Sequence, residues 1–348
     1  MKPTEKEPLF GKTLAQLETV AKAAGLPRYA ARQMAGWLYE RDAESIDAMT
    51  NLSLEARHVL DERFRIGVSP PVTQQTSVDE TRKYVFETPH GLIETVCIPE
   101  QERRTLCISS QVGCRMGCAF CVTGSQGFQG QLTPGEILNQ IRSIPERHQL
   151  TNIVYMGMGE PFDNLDAVLD SVEILTSHYG FGMPPRRVTV STAGIASGVK
   201  TYLERCGSPL AVSLHSPFED ERRELMPIEN ASPLREIIRI IRETPMASQR
   251  RIFFEYIVFK GINHSQRHAD ELARLLNGIR CRINLLRFHP APGIPLESPD
   301  DETMLAFRGT LEEKGFITTI RRSRGQDIAA ACGLLSSQTR DGCSANPG

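Results

Sequence analysis

A chain of 348 residues that is 40% hydrophobic can bury one large core and a smaller one, which excludes a disordered or fibrous protein. Its formal net charge of −2 gives no argument from bulk charge for a nucleic-acid partner, although its 40 cations divide into 32 Arg and 8 Lys. No run approaches the roughly 18 apolar residues of a membrane span, and the polar start Met1-Lys-Pro-Thr-Glu-Lys-Glu-Pro8 is unlike a signal peptide, so a cytoplasmic protein without a membrane partner is expected.

Residues 12–66 read as helices. Leu14, Leu17, Val20 and Ala21 recur on one face, Pro27 follows Gly25, and a second amphipathic stretch runs through Met34, Trp37 and Leu38. A small helical module over 1–68 is expected. After the Ser69-Pro70-Pro71 break, Lys83-Tyr-Val-Phe-Glu87 and Leu92-Ile-Glu-Thr-Val-Cys-Ile98 flank Thr88-Pro-His-Gly91, the signal of a β-hairpin, which makes 69–100 a linker or extension. Further on, strand patterns at 105–109, 152–156, 187–191, 210–214, 252–258, 282–286 and 316–320 alternate with helical patterns near 133–148, 164–178, 195–205, 232–244, 265–277 and 300–314. That rhythm predicts a parallel α/β sheet or barrel of six or seven units over 101–335, followed by a polar tail over 336–348.

Arginine is the better bidentate partner for phosphate, and it occurs in pairs at Arg103-Arg104, Arg186-Arg187, Arg222-Arg223, Arg250-Arg251 and Arg321-Arg322. A GC-rich genome would give the same excess, and charged pairs are usually solvated faces.

Nine cysteines, an odd number grouped around one motif, point to metal and redox chemistry in a reducing compartment rather than to a disulfide scaffold. Cys114-Arg-Met-Gly-Cys118-Ala-Phe-Cys121 supplies three thiolates where a closed zinc or [4Fe–4S] site usually takes four. Three would leave one iron open to a small molecule. The alternatives are three core cysteines or a zinc site completed by a histidine.

Active sites of parallel β/α folds form at the C-terminal ends of strands. The cysteine run follows the first expected strand of the series, Gly157-Met-Gly-Glu160-Pro161 the second, Ser191-Thr-Ala-Gly194 the third and Ser213-Leu-His215 the fourth.

On these motifs the chain resembles the radical S-adenosylmethionine (SAM) superfamily. Together with Leu225-Met-Pro-Ile228, with Arg324-Gly-Gln-Asp-Ile-Ala-Ala-Ala-Cys332-Gly333, and with Tyr29 and Gln33 to Trp37, they resemble the RlmN family over roughly residues 12 to 335. That family makes 2-methyladenine in 23S rRNA and tRNA. The resemblance implies a partial (β/α)6 barrel with an N-terminal helical RNA-binding domain and a hairpin extension. It also implies a [4Fe–4S] cluster on Cys114, Cys118 and Cys121, fed by a low-potential donor such as flavodoxin, with SAM held by Gly159, Glu160, Ser191, Ser213, Leu214, His215 and His289.

Carbon 2 of adenine is electron-poor and does not attack a sulfonium methyl. By the resemblance, one SAM first methylates Cys332; a second, cleaved at the cluster, yields a radical that takes hydrogen from that methyl, whose carbon adds to the base. Glu94 then matches the proton acceptor, and Cys107 the cysteine that releases the product through a transient disulfide with Cys332. Without the pattern, Glu94 would read as a solvent-facing strand residue and Cys107 as a small buried hydrophobe. Cys97, Cys206 and Cys281 read as packing and Cys343 as tail.

Two departures stand out. His289 in Asn284-Leu-Leu-Arg-Phe-His289-Pro290 replaces the usual Asn, and Gly130-Gln131 replaces a common Arg-Asn. An adenine-C8 methyltransferase of the antibiotic-resistance type shares all this machinery, and a non-catalytic RNA-binding protein with a structural metal remains the alternative from another class.

Overall fold

In the computed structural model, which describes residues 6–246 and 250–336, the β-branched runs join into one open sheet of ten strands in strict chain order. Strands β1 (Thr73–Thr76), β2 (Arg82–Thr88), β3 (Gly91–Glu100) and β4 (Arg103–Cys107) are antiparallel neighbours. From β4 onward the sheet is parallel through β5 (Asn152–Tyr155), β6 (Val188–Thr192), β7 (Leu210–Ser213), β8 (Ile252–Val258), β9 (Cys281–Arg287) and β10 (Ile317–Ile320). The hairpin pairs Thr88 with Gly91, as its turn residues demand, and β3 continues it into the main sheet.

Three helices open the described chain, α1 (Leu14–Ala23), α2 (Tyr29–Ala35) and α3 (Leu54–Arg63). The short α4 (Val122–Ser125) follows the cysteine run, and α5 (Pro134–Arg142) crosses from β4 to β5. Then come α6 (Leu165–Thr176), α7 (Ala196–Arg205), α8 (Glu219–Leu225), α9 (Leu234–Glu243), α10 (Gln266–Leu276) and α11 (Asp301–Glu313). Each of β4 to β9 is thus followed by a helix, six units closed by a seventh parallel strand. The pattern at 133–148 yields a shorter helix because Ser143 ends it ahead of Pro145. Thr133 and Glu136 form its capping box, with the Thr133 N–H donating to Glu136 at 2.7 Å. On α9, Leu234, Ile237, Ile238, Ile240 and Ile241 are buried, the i, i+3, i+4, i+7 stripe that seats a helix on a sheet.

The helical module rests on α5. Gly11 has a φ of +94°, and a Cβ there would stand 2.2 Å from the Gly135 nitrogen, so only glycine allows the approach. Buried Tyr39 donates its hydroxyl to the Lys12 carbonyl at 2.6 Å, and Arg147 donates to the Tyr39 carbonyl at 2.8 Å. No helix among the described residues is long and apolar enough to cross a membrane. Cys343 and residues 337–348 of the expected tail lie outside the described residues. Ser336, expected at the start of that tail, is buried, because its N–H donates to Glu94 at 2.8 Å.

Strand alternation sets the interior. Arg103, Thr105 and Cys107 of β4 line one cavity of about 800 Å³, as do Phe253 and Glu255 of β8, Arg251 just before it, and Arg282, Asn284 and Leu286 of β9. It runs from an arginine end at the strand N-termini to a sulfur end at their C-termini.

Candidate active site

The loop leaving β4 carries the three expected cluster ligands. Gln111–Gly113 pairs with Phe128–Gln131, and Gly113, with a φ of +69°, passes so close that a Cβ would stand 1.9 Å from the Gly127 carbonyl. This small hairpin fixes Cys114, whose N–H donates to the Gly127 carbonyl at 3.1 Å, while the Cys121 N–H donates to the Cys118 carbonyl at 3.1 Å. Burial pushes the Cys114 thiol up to about 12 and raises those of Cys118 and Cys121. Cys121 raises both Cys114 and Cys118 further, and Cys114 adds to Cys118, so the three thiols share one electrostatic neighbourhood.

Such thiols ionise when a cation takes the place of their protons. Cys118 and Phe120 pack on an apolar cluster of Ala193, Leu225, Met226, Ile257, Phe259 and Phe288. Among the described residues no three His, Cys, Asp or Glu side chains close around a single ion position. Three soft donors on one loop against an apolar wall fit an iron–sulfur cluster, whose ligands stand farther apart than those around one ion.

Past β5, Gly159 (φ +96°) would place a Cβ 2.5 Å from that of Gln111, so the backbone turns there only as glycine. Glu160 is buried and accepts from the Thr192 hydroxyl at 2.6 Å, the Ala193 N–H at 2.7 Å and the Phe162 N–H at 2.9 Å. Burial nevertheless pushes its carboxyl up to about 7. Ser191 lies on β6 and Ser213 ends β7, both partly buried, whereas the Leu214 side chain is fully buried in the core. His215 adopts a φ of +57° and accepts the Ile257 N–H on Nδ1 at 2.9 Å, with Phe120 edge-on at 4.8 Å. Burial, reinforced by Arg222, pushes this imidazole down to about 3, so it is a neutral brace between the cysteine loop and β8.

Sequence reasoning missed the residue that ties these strand ends together. Arg222 is fully buried on α8 and donates to the Ala193 carbonyl at 2.7 Å and to the Ser213 and Leu214 carbonyls at 3.2 Å each. It pairs with buried Glu229, which also accepts the Leu234 N–H at 3.0 Å. The signal was the spacing Phe218, Arg222, Leu225, which puts one member of an arginine pair on the apolar stripe of a helix.

The C-terminal segment crosses the cysteine loop. Val122 donates its N–H to the Gly333 carbonyl at 2.8 Å, and Thr123 its hydroxyl to the Leu335 carbonyl at 2.7 Å. Cys332, exposed, and Cys107, buried, are free thiols on the same cavity, and Cys332 also raises Cys121. Burial pushes Cys107 up to about 12, with Cys332 adding to the rise and Arg321 opposing it. The Arg321 guanidinium stands 3.3 Å from the Met156 sulfur and 3.8 Å from buried Glu255, whose other oxygen accepts from Asn284 at 2.8 Å. His289 opens onto this cavity and is pushed down by burial and then by Arg287.

Glu94 does not face solvent. It is 7% exposed, pairs with buried Lys83 at 2.9 Å and accepts from Ser336, because β3 lies between two strands and under the C-terminal segment. The cavity lining thus brings together Cys107, Cys332 and His289, whereas Glu94, Ser191 and Ser213 stand outside it.

The comparisons with known proteins converge. Residues 8–66 match the family model of the ribosomal RNA large subunit methyltransferase N-terminal domain, and residues 108–273 that of the radical SAM superfamily. A probable dual-specificity RNA methyltransferase RlmN of Phocaeicola vulgatus is 53% identical over 334 residues, 96% of each chain. The dual-specificity RNA methyltransferase RlmN of Syntrophus aciditrophicus is 42% identical over 93% of this chain and 94% of its own. The crystal structure of a radical SAM methyltransferase from Sphaerobacter thermophilus matches with a TM-score of 0.86 at 40% identity, covering 95% of this chain and 100% of that one. With the cysteine loop, the six β/α units and the N-terminal module all accounted for by these relatives, the chain belongs to the RlmN family of radical SAM RNA methyltransferases, enzymes that use a [4Fe–4S] cluster and SAM.

Proposed function

We propose that this enzyme methylates carbon 2 of adenine in 23S rRNA and tRNA through an S-methyl group carried on Cys332. The observation that supports this most directly is the sharing of one cavity by Cys332 and Cys107, with Cys332 also within electrostatic reach of Cys121. Cys114, Cys118 and Cys121 would hold the cluster. Gly159, Glu160, Ser191, the 213–215 segment and His289 would hold SAM, Gly159 and Glu160 at the methionine end and Ser191 and the 213–215 segment at the rest of the nucleoside, where Glu160 and Arg222 tie the strand ends together. When bound, the cluster and SAM supply the methyl group and the one-electron chemistry.

The remaining steps belong to side chains of this chain. Cys332, as thiolate, is the nucleophile that accepts the methyl. Once that carbon is joined to the base, and the adduct's unpaired electron is given up to the one-electron chemistry the cluster would supply, Glu94, paired with Lys83 at 2.9 Å, takes the proton from carbon 2. The Cys107 thiolate then attacks the Cys332 sulfur. One S–S bond forms and the Cys332 S–C bond breaks; the electron pair leaves with carbon, which takes a proton to become the methyl product, and an external dithiol later reduces the disulfide. We assign RNA handling to the helical module over 1–68, electron supply to a low-potential donor such as flavodoxin, and the cytoplasm as the site of action.

The test is peptide mass spectrometry of the anaerobically purified enzyme. Cys332 is expected to carry one additional methylene mass after incubation with SAM, and Cys107→Ala to accumulate a covalent protein–RNA adduct. An unmodified Cys332 in a cluster-loaded, SAM-treated enzyme would overturn the assignment.

A further inference from the structure

Apart from Arg222-Arg223, every arginine pair of the sequence places at least one member on the central cavity. Arg103, Arg186, Arg187, Arg251 and Arg282 line the end of the central cavity formed by the strand N-termini, while Arg321 and Arg322 line it nearer the other end. A second cavity of about 550 Å³ opens beside that mouth and shares Arg186, Arg251 and Arg282 with it. Five of its eight lining residues are arginines, Arg250 and Arg280 being the others, and none is acidic.

A compositional excess of arginine would leave its guanidinium groups beside carboxylates, as on the outer helices. There Arg235 pairs with Glu219, Arg239 with Glu243, Arg274 with Glu271 and Arg308 with Glu312. At the mouth the pattern reverses. Among the described residues Arg103, Arg186, Arg251 and Arg282 have no carboxylate partner, Arg187 reaches only the Asn152 side chain at 3.2 Å, and Glu100 is the one acid on this rim.

Strand register explains the gathering. Ile252 of β8 pairs with Leu210 on one side and Cys281 on the other, so Arg251 and Arg280 stand level at the same edge, with Arg187 just before β6 and Arg103 starting β4. Like charges held this close by the backbone call for an anion. Planar, bidentate guanidinium groups suit phosphate oxygens above all.

We propose that this arginine mouth binds backbone phosphates of the substrate RNA, as a second contact surface on the barrel end opposite Cys332. The proposal rests on RNA being the substrate and is independent of which adenine carbon is methylated. A phosphate contact fixes orientation and carries no base sequence, so the surface would serve two RNAs of different sequence equally.

The test measures binding of full-length, cluster-loaded enzyme to tRNA and to an rRNA fragment without SAM, over a salt series. Each lost phosphate contact flattens the slope of log affinity against log salt by about 0.7 to 0.9. Arg186→Gln/Arg251→Gln/Arg282→Gln is expected to flatten it by about 2 to 3 and to weaken binding at least about tenfold near 0.1 M salt. The matched control Arg239→Gln/Arg274→Gln/Arg308→Gln removes the same charge from the outer helices and is expected to retain the wild-type slope. A triple variant whose slope equals that of the control overturns the proposal. Should the triple variant fail to fold, the same slope is read on each single Arg→Gln substitution, where about 0.7 to 0.9 apiece is expected and an unchanged slope refutes it. Inorganic tripolyphosphate provides the other arm: if it binds wild type but not the variant while the RNA slopes coincide, the mouth is a small-anion site and the RNA assignment falls. Product identity is measured separately, so a failure of the methylation reading leaves this result readable.

Discussion

Replacing Arg222 by Met keeps the length of an apolar stem and deletes every donor that ties the strand ends to α8. Glu229, 2% exposed, would be left as an unpaired buried carboxylate, and the Ala193, Ser213 and Leu214 carbonyls would lose a donor. Breaking a buried pair from one side costs about 3–5 kcal/mol, most of it the stranded charge. At roughly 2–4 °C per kcal/mol for larger domains, melting should fall by about 10 °C. Because the cost lies in the stranded charge, Arg222→Met/Glu229→Gln should be milder than the sum of the single variants by about 2 kcal/mol. Anaerobic thermal unfolding of the cluster-loaded protein measures both values. SAM affinity should fall in Arg222→Met as well, since Ala193 and Ser213 end the strands assigned to SAM. Additive single effects, or an Arg222→Met protein that melts within about 2 °C of wild type, would show that Arg222 does not neutralise a buried Glu229 carboxylate.

His215 sets a pH dependence. Its folded value of about 3 lies below the ordinary 6.5, so the unfolded chain binds the extra proton, and the stabilisation present above pH 6.5 is lost as pH falls toward 3. Near pH 5 wild type should have lost about 2 kcal/mol that His215→Asn does not lose; parallel stability–pH curves for the two proteins would contradict this. Arg321 opposes the burial that pushes Cys107 up to about 12, so Arg321→Met should slow release and accumulate protein–RNA adduct, with Arg321→Lys partly restoring turnover. Unchanged adduct levels on denaturing gels would remove Arg321 from that role.

The strands, the hairpin and the cysteine loop were legible because each rests on local pattern: β-branched and aromatic runs at β2 and β3, turn residues at 88–91, ligand spacing at 114–121. What escaped depends on contacts distant in sequence. Glu94 reads as an exposed strand position, yet Glu94, Thr95 and Val96 are all buried, since β3 lies between two strands and Glu94 accepts the N–H of distant Ser336. The Arg222-Arg223 pair reads as a solvated charge, yet one member is the most buried cation of the site and the other bonds Asn230 at 2.9 Å on the surface. The remaining arginine pairs could be seen in the sequence, but only parallel register brings Arg187, Arg251 and Arg282 to one edge. His215 shows the converse: a motif residue legible from its strand-end position whose ring is committed to the Ile257 backbone.

The proposed chemistry takes place at one carbon of adenine. Anaerobically reconstituted enzyme, given SAM, a low-potential reductant and unmodified tRNA or 23S rRNA fragments, should yield 2-methyladenosine on nucleoside digestion and mass spectrometry, with wild type active and Cys332→Ala inactive although its cluster absorbance is intact. The appearance of 8-methyladenosine instead, or of 2-methyladenosine from Cys332→Ala, would contradict it.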